Sequence, residues 1–227
     1  MTASVEQLED LVRGGAAILL DFDGPICSVF AGYAAPAIAS ELRDMLGANA
    51  AEFETEDDPL QLLVRLDATA PAATVRRIAD ALRDKELLAV KSATETIGAL
   101  DTLRAARMAG RPTAVVSNNS VSAVRSYLER HEVLDHVDII SARNDGMRPS
   151  LLKPHPHLVR HALERLDLSP NRVIFVGDSS SDVIAGHAAG VSTIGYGKSA
   201  EKRKRLVDAG ADYITDSMAE IASALLK

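Results

Sequence analysis

Two textures alternate along the chain. Short apolar runs, rich in Val and Ile and ending in Asp, Ser, Asn or Gly, occupy 16–20, 113–116, 137–140, 172–176 and 192–195. Unbroken rather than alternating apolar character marks strands buried on both faces, as in a parallel sheet covered by helices. Between these runs, apolar residues recur at helical spacing. Ser92-Ala93-Thr94-Glu95 reads as a capping box for a helix with Ile97, Leu100 and Leu103 on one face, stopping at Gly110 before Pro112. Val121, Val124 and Leu128 predict a second helix, and Leu158, Ala162 and Leu166 a third. Strand alternating with helix implies right-handed crossovers, hence an α/β fold with a doubly wound, Rossmann-like parallel sheet.

One interval breaks the alternation. About ninety residues separate the first two runs without a convincing strand, where a crossover needs roughly a dozen. From 28 to 91 the pattern is helical, with Ile38, Leu42 and Met45, then Leu62, Leu63 and Leu66, then Val75, Ile78 and Leu82. The spacing predicts a core built from 1–27 and 92–227, with an all-helical cap domain, 28–91, inserted after the first strand. Ligands of α/β proteins bind at the carboxyl edge of the sheet, so an insert there is placed to act as a lid.

Composition narrows the partners. With 227 residues, 47% of them apolar and 25% charged, the chain has ordinary globular usage, which excludes a disordered protein. Lys and Arg number 25 against 32 Asp and Glu, a net charge of −7, opposite to the footprint of a nucleic-acid binder. Aromatics at 4% and no Trp leave little for a base-stacking platform. Cys27 is the single cysteine, so no intramolecular disulfide forms and secretion gains no support. Residues 1–13 carry Glu6, Glu9 and Asp10 where a secretory signal would place positive charge. The longest clearly apolar stretch, 16–20, is far short of the ~20 residues of a membrane helix. A cytoplasmic protein with no nucleic-acid or membrane partner is expected.

Several features have plain structural readings. The acidic stretch 52–59 reads as a solvated loop with Asp57 or Asp58 near a helix N-terminus. The basic run Lys202-Arg203-Lys204-Arg205, inside an acidic chain, reads as an exposed helical face. His157 and His161, beside His155, have the spacing of a metal pair but no third ligand near them. Cys27 reads as a small buried residue.

The ends of the runs carry the chemistry. Asp21-Phe22-Asp23-Gly24 follows the first, and two carboxylates leaving a strand can both face the ligand edge, where Mg²⁺ accepts one or two of them plus phosphate oxygens. Read alone, the motif is equally a polar turn with a helix cap. The second run ends in Ser117-Asn118-Asn119, whose hydroxyl and amides suit an anionic oxygen or a helix N-cap. Lys153 stands just ahead of a proline-opened helix. The fourth run ends in Gly177-Asp178-Ser179-Ser180-Ser181-Asp182. Four acidic groups on one rim, with one lysine and one serine, are harder to explain jointly by turns and caps than each is alone.

In this order the four motifs resemble the haloacid dehalogenase superfamily, with its Asp-x-Asp-Gly, Ser or Thr, Lys and Gly-Asp-x-x-x-Asp. The resemblance runs from Ala16 to the Ala209-Gly210-Ala211-Asp212-Tyr213 segment. Ala188-Ala189-Gly190 after the fourth motif fits the phosphoglycolate-phosphatase-like branch with a helical cap. Pro25, where an aliphatic or Thr is commoner, and an insert poor in aromatics depart from the pattern. The resemblance implies a phosphatase acting on a small phosphorylated metabolite, with Asp21 as nucleophile and Asp23 as general acid and base. Ser117, Lys153 and Asn118 would contact the phosphate. Asp178, with a side-chain oxygen of Asp21 and the main-chain carbonyl of Asp23, would hold Mg²⁺, and Asp182 would orient metal-bound water or Lys153.

Other readings compete. A dehalogenase needs no acid two residues after its nucleophile, so Asp23 argues for phosphate chemistry. A phosphonatase needs a Schiff-base lysine from the cap, where Lys85 and Lys91 are the lysines present. A phosphosugar mutase keeps the same core groups, and a catalytically silent phosphate-binding protein could share the fold. A receiver domain would need only about half this length and no insert. Substrate choice would fall to cap residues, with Arg43, Arg65, Arg76, Arg77 and Tyr33 as candidates.

Overall fold

The computed structural model describes residues 5–227, so the signal-peptide reading over 1–13 falls partly outside the described residues. The chain runs α1 (Val5–Gly14), β1 (Ala17–Leu20), β2 (Cys27–Ser28), α2 (Ala35–Asp44), α3 (Pro59–Thr69), α4 (Ala72–Ala89) and β3 (Thr94–Glu95). It continues through α5 (Ala99–Met108), β4 (Thr113–Ser120), α6 (Val121–Arg130), β5 (Ile139–Arg143), α7 (His157–Leu166) and β6 (Val173–Gly177). It ends with α8 (Ser180–Ala189), β7 (Ser192–Tyr196), α9 (Ala200–Asp208), β8 (Tyr213–Thr215) and α10 (Met218–Leu225).

Six strands form one sheet in the order β5-β4-β1-β6-β7-β8, with every pairing parallel. The doubly wound sheet is present. Its apolar runs are unbroken because successive residues serve opposite faces. Ile18, Leu20, Val115, Ile174 and Val176 enter one apolar cluster, while Ala17, Leu19, Ala114, Val116, Val173 and Phe175 enter the other. Helices cover both faces, so neither parity can be polar. The chain builds outward from β1 on one side and then crosses to β6 on the other. The carboxyl end of β1 is therefore the switch point where an α/β sheet opens a crevice.

Helices α2, α3 and α4 bury the predicted stripes, Ile38 and Leu42, then Leu62, Leu63 and Leu66, then Val75, Ile78 and Leu82, in the same apolar cluster as one face of the sheet. Asp58 caps α3, accepting from the N–H groups of Leu60 and Gln61, which is the helix-terminal role read for the acidic stretch. Arg43 and Arg65 hold that stretch, Arg43 at the Glu56 carbonyl and Arg65 3.4 Å from the Glu56 carboxylate and 3.0 Å from the Glu52 carbonyl.

The predicted capping box at 92–95 is not one. Thr94 and Glu95 form β3, paired antiparallel with Ser28 and Cys27 of β2, and α5 begins only at Ala99 behind Gly98, whose φ is +83°. The Thr96 hydroxyl donates to the Gly24 carbonyl at 2.6 Å and its N–H to the Ile26 carbonyl at 3.0 Å. The segment pairs with the turn after β1 instead of starting a helix, leaving Ile97 exposed and Leu100 and Leu103 buried. The long interval therefore contains two strands of two residues each, lying side by side where the chain leaves the sheet and returns to it. Among the described residues, no helix is long and apolar enough to cross a membrane.

Candidate active site

Register brings the site together. Leu20 pairs with Val115 and with Val176, so Asp21 and Asp178, just beyond their strands, and Ser117, within β4, stand near one another at the carboxyl ends of three adjacent parallel strands. Lys153 reaches this rim from the segment before α7. Its ammonium lies 2.7 Å from Asp21 Oδ1, 2.6 Å from Asp182 Oδ1 and 2.9 Å from the Val116 carbonyl. Two carboxylate oxygens and one carbonyl thus surround the ammonium, and its nitrogen sits 5.4 Å from the centre of the Phe175 ring. Such a lysine is part of the core of the site; it is 4% exposed. Helix α7 opens at His157 behind Pro156 rather than directly after Pro154.

Asp182 divides its oxygens between two tasks. Oδ1 faces Lys153, while Oδ2 accepts from the main-chain N–H groups of Asp178 and Ser179 at 3.1 and 3.0 Å and from the Ser179 hydroxyl at 2.7 Å. With Ser179 it forms the capping box of α8. One carboxylate therefore starts the helix and orients the lysine.

Asp178 packs over Gly24. Gly24 has a φ of +109°, and a Cβ built there would lie 2.2 Å from the Asp178 carboxyl carbon. The glycine of Asp-x-Asp-Gly is required twice, for a backbone that L side chains rarely adopt and for the space that Asp178 fills. We expect Gly24→Ala to lower kcat/KM by about 10²-fold, the scale of an ångström-sized misplacement, with far-UV circular dichroism unchanged. Activity within about twofold of the parent, as hydrogen-bond-scale noise, would show that Asp178 has no fixed place to lose.

The carboxylates resist their own charge. Burial first, and then the charge of Asp182, raise Asp21 well above the ordinary carboxylate range despite Lys153. Burial and Asp182 likewise raise Asp178, although Lys202 opposes the shift. Lys153 is held above its usual value because Asp182 and Asp21 outweigh the burial that disfavours its charge. Asp23 is pushed up to about 6, mainly by burial, while the Val29 N–H donates to its Oδ1 at 2.9 Å and opposes the shift. One oxygen from each of Asp21, Asp178 and Asp182 lies within 4.8 Å of the others. These are hard oxygen ligands in a place that favours positive charge, and they fit a divalent cation such as Mg²⁺. The set holds the side chain of Asp182 and not that of Asp23.

The carboxyl-terminal residues of β4, 117–120, are tied from two directions. The Asn118 side chain donates to the Lys153 carbonyl at 3.0 Å and accepts from the Lys153 N–H at 2.8 Å, so its amide links the end of β4 to the lysine. The Ser117 hydroxyl donates to Asn119 Oδ1 at 3.2 Å and accepts from the Asn119 N–H at 3.1 Å.

Glu86 and Arg143, absent from the sequence reading, and Lys202, read there as an exposed face, belong here. Glu86 of α4 and Arg143 of β5 form a fully buried ion pair at 2.6 Å beside Asn119. An acidic residue four positions after Leu82, on the apolar stripe of α4, is the signal that would have found Glu86. Lys202 departs from the exposed face read for the basic run, because its ammonium contacts the Asp178 carboxylate. Arg203 pairs with Asp216, and Lys204 with Asp208 at 2.5 Å.

Other sequence candidates are engaged elsewhere. Arg77 donates to the Met45 carbonyl at 2.9 Å, the Tyr33 hydroxyl donates to Glu41 at 2.7 Å, and Arg76 lines a cleft between α4 and 143–149. Lys85 pairs with Glu41. His155 accepts from the His157 N–H and His161 meets the Ser141 hydroxyl at 2.9 Å, so the three histidines form no metal set. Cys27 is buried, and burial raises its thiol far above the usual range.

A doubly wound sheet thus gathers Asp21, Asp178, Asp182 and Lys153 at its switch point. The chain belongs to the haloacid dehalogenase-like hydrolase family, whose model matches residues 35–196. That span holds Ser117, Lys153, Asp178 and Asp182, and Asp21 and Asp23 precede it. Phosphoglycolate phosphatase of Haemophilus influenzae is 30% identical over 125 residues, 55% of this chain and 54% of that protein. The phosphoglycolate phosphatase of Escherichia coli K12 is 32% identical over 95 residues, 42% of this chain and 36% of that one. The chain spans about half the length of the curated relatives it matches, or less. In fold it is similar to CbbY from Rhodobacter sphaeroides, solved with phosphate, at a TM-score of 0.69 and 23% identity over 92% of this chain and 98% of that one. L-2-haloacid dehalogenase from Xanthobacter autotrophicus superposes at 0.62 with 16% identity, over 92% and 97%.

Proposed function

We propose that the protein is a cytoplasmic Mg²⁺-dependent phosphatase that hydrolyses a small phosphomonoester through an aspartyl-phosphate. The observation that carries this reading is Asp23, two residues beyond Asp21 and raised to about 6 by burial. A group titrating near neutrality can both give and take a proton, and halide displacement has no use for it.

In this reading Asp21 attacks phosphorus in line. Lys153 and the Phe22 N–H both engage Asp21 Oδ1, at 2.7 Å each, which leaves Oδ2 as the attacking atom. As the bond from phosphorus to the leaving oxygen breaks, Asp23 gives that oxygen a proton. Asp23 then takes a proton from water, which attacks the aspartyl-phosphate, breaks its P–O bond and frees inorganic phosphate. Ser117 and the charge of Lys153 stabilise the phosphoryl oxygens, the dominant demand of phosphoryl transfer. Asn118 contributes by fixing Lys153, and any phosphate contact of its own comes from the main chain. Asp21, Asp178 and the main chain at Asp23 would hold Mg²⁺, with Asp182 beside them; when bound, the ion supplies positive charge against the carboxylates and the incoming phosphate. The helices between β2 and β3 act as the cap, 28–91, and select a small substrate. A phosphatase on a CbbY-like fold is consistent with a sugar phosphate or phosphoglycolate, since a CbbY mutant has been solved with xylulose-(1,5)bisphosphate.

The test is release of inorganic phosphate from p-nitrophenyl phosphate. We expect turnover with Mg²⁺, its loss on treatment with EDTA, and its return on adding Mg²⁺. Full activity in metal-free protein would remove the cation from the reading, and no release in any condition would remove the phosphatase.

A further inference from the structure

We propose that Glu86 is a positioning residue through which the helical insert sets the direction of the Ser117 hydroxyl. The inference rests on the reading of Ser117 as a phosphate-binding group.

Glu86 is wholly buried near the end of α4, in the insert, yet each of its oxygens is engaged by a group of the core. Asn119 Nδ2 donates to Oε1 at 3.1 Å, while the Ser120 N–H and Arg143 Nη2 reach Oε2 at 2.9 and 2.6 Å. Arg143 also donates from Nε to the Asn118 carbonyl at 3.1 Å and from Nη1 to the Ala79 carbonyl of α4 at 3.4 Å. All the side chains of this relay are 5% exposed or less. Water cannot replace a missing partner cheaply at such a site.

The chemistry of a carboxylate gives the relay a direction. An ionised carboxylate accepts and cannot donate, whereas an amide has one end of each kind. Glu86 therefore compels Asn119 to turn its NH₂ toward α4, which turns Oδ1 toward Ser117. Oδ1 takes the hydroxyl proton at 3.2 Å, and the Asn119 N–H donates to the same oxygen at 3.1 Å. Ser117 Oγ is thus held in one place with its proton available for transfer of the hydrogen bond to an arriving phosphoryl oxygen. Without a carboxylate at 86 the Asn119 amide is free to flip. Its NH₂ then donates to Ser117 Oγ, and the serine's orientation is no longer defined. A buried ion pair would be a poor choice for stability alone, since apolar residues of similar volume commonly do as well. Here it holds an orientation.

The test is a double-mutant cycle on binding of inorganic phosphate by the Mg²⁺-loaded protein, followed by calorimetry. Glu86→Gln is expected to weaken phosphate by about tenfold, the scale of a lost hydrogen bond to a charged group. In a Ser117→Ala background the same change is expected to cost less than about twofold, because the group it positions is gone. Equal losses in both backgrounds would make Glu86 merely structural and overturn the inference. Where Glu86→Gln fails to fold, two further variants answer. Asn119→Ala leaves the ion pair intact and should reproduce the loss, again absent with Ser117→Ala. Glu86→Leu with Arg143→Met removes the ion pair without leaving either charge buried alone, and should still weaken phosphate by about tenfold, as for Glu86→Gln. Recovery of affinity in that pair would overturn the inference. If Ser117→Ala itself leaves phosphate affinity unchanged, the phosphate reading of Ser117 fails and takes the inference with it. A loss with Ser117→Ala but no coupling to Glu86 removes the inference alone.

Discussion

Asp21→Asn is expected to abolish turnover, by on the order of 10⁴-fold or more as for the loss of a nucleophile, while leaving the protein folded. The amide cannot form an acyl-phosphate, and no other carboxylate stands at the same place on the rim. Folding should survive for an electrostatic reason. A carboxyl whose pKa is raised by folding contributes less stability as pH rises through the unfolded value, because the folded protein binds its proton more tightly. Burial and Asp182 raise Asp21 in that sense, so at neutral pH a neutral side chain there relieves the site. Lys153 keeps Asp182 at 2.6 Å and the Val116 carbonyl at 2.9 Å. The melting temperature should therefore be equal to the parent's or above it. The checks are phosphate release by protein free of deamidated material, and a thermal melt on the same sample. Residual activity of more than a few per cent, on the scale where nucleophile variants are read, would sink the assignment, as a collapse of the melt would sink the account of the charge balance.

What could be read in advance follows from which interactions are local. The strands were legible because burial on both faces makes 17–20, 114–116 and 173–176 apolar at every position, and the two clusters divide those residues by parity. The insert helices were legible because Ile38, Leu42, Leu62, Leu66, Ile78 and Leu82 keep helical spacing. The helix at 92–95 was misread because a capping box is a pattern of four residues, and the pairing of Thr94 and Glu95 with β2 is a contact across the whole insert. Strand β8, only three residues long, has too little apolar text to stand out.

The site divides in the same way. Asp21, Asp23, Ser117, Lys153, Asp178 and Asp182 sit at strand ends or beside a proline, where their order alone points to one rim. Glu86, Arg143, Asn119 and Lys202 act through partners far away in the chain. Arg143 meets Glu86 across 57 positions and Lys202 meets Asp178 across 24. No motif encodes such pairs, and a lysine at the head of a basic run looks solvated until α9 turns it toward the sheet.

In the proposed mechanism Asp23 separates hydrolysis of a phosphate ester from displacement of halide, and its replacement has a signature that tests this role. If Asp23 protonates the leaving alkoxide, Asp23→Asn should cost most where the leaving group is a poor one. General-acid assistance is worth about 10²–10⁴-fold, so a sugar phosphate should lose about that much in the step that forms the aspartyl-phosphate. An aryl phosphate such as p-nitrophenyl phosphate, whose phenolate leaves without a proton, should lose less in the same step. The pKa of about 6 sharpens the expectation, because much of the parent protein carries the needed proton in mildly acidic buffer while the variant carries none at any pH. Burial, the main cause of the shift, persists in the variant, and Asn keeps an oxygen for the Val29 N–H. Loss of activity through unfolding is thereby separated from loss of the proton. The same change removes the base of the second step, so steady-state rates fall for both substrates and do not discriminate. Single-turnover release of the alcohol does. Equal losses for the two leaving groups in that first step would make Asp23 structural or purely electrostatic, and the acid–base role would have to be withdrawn.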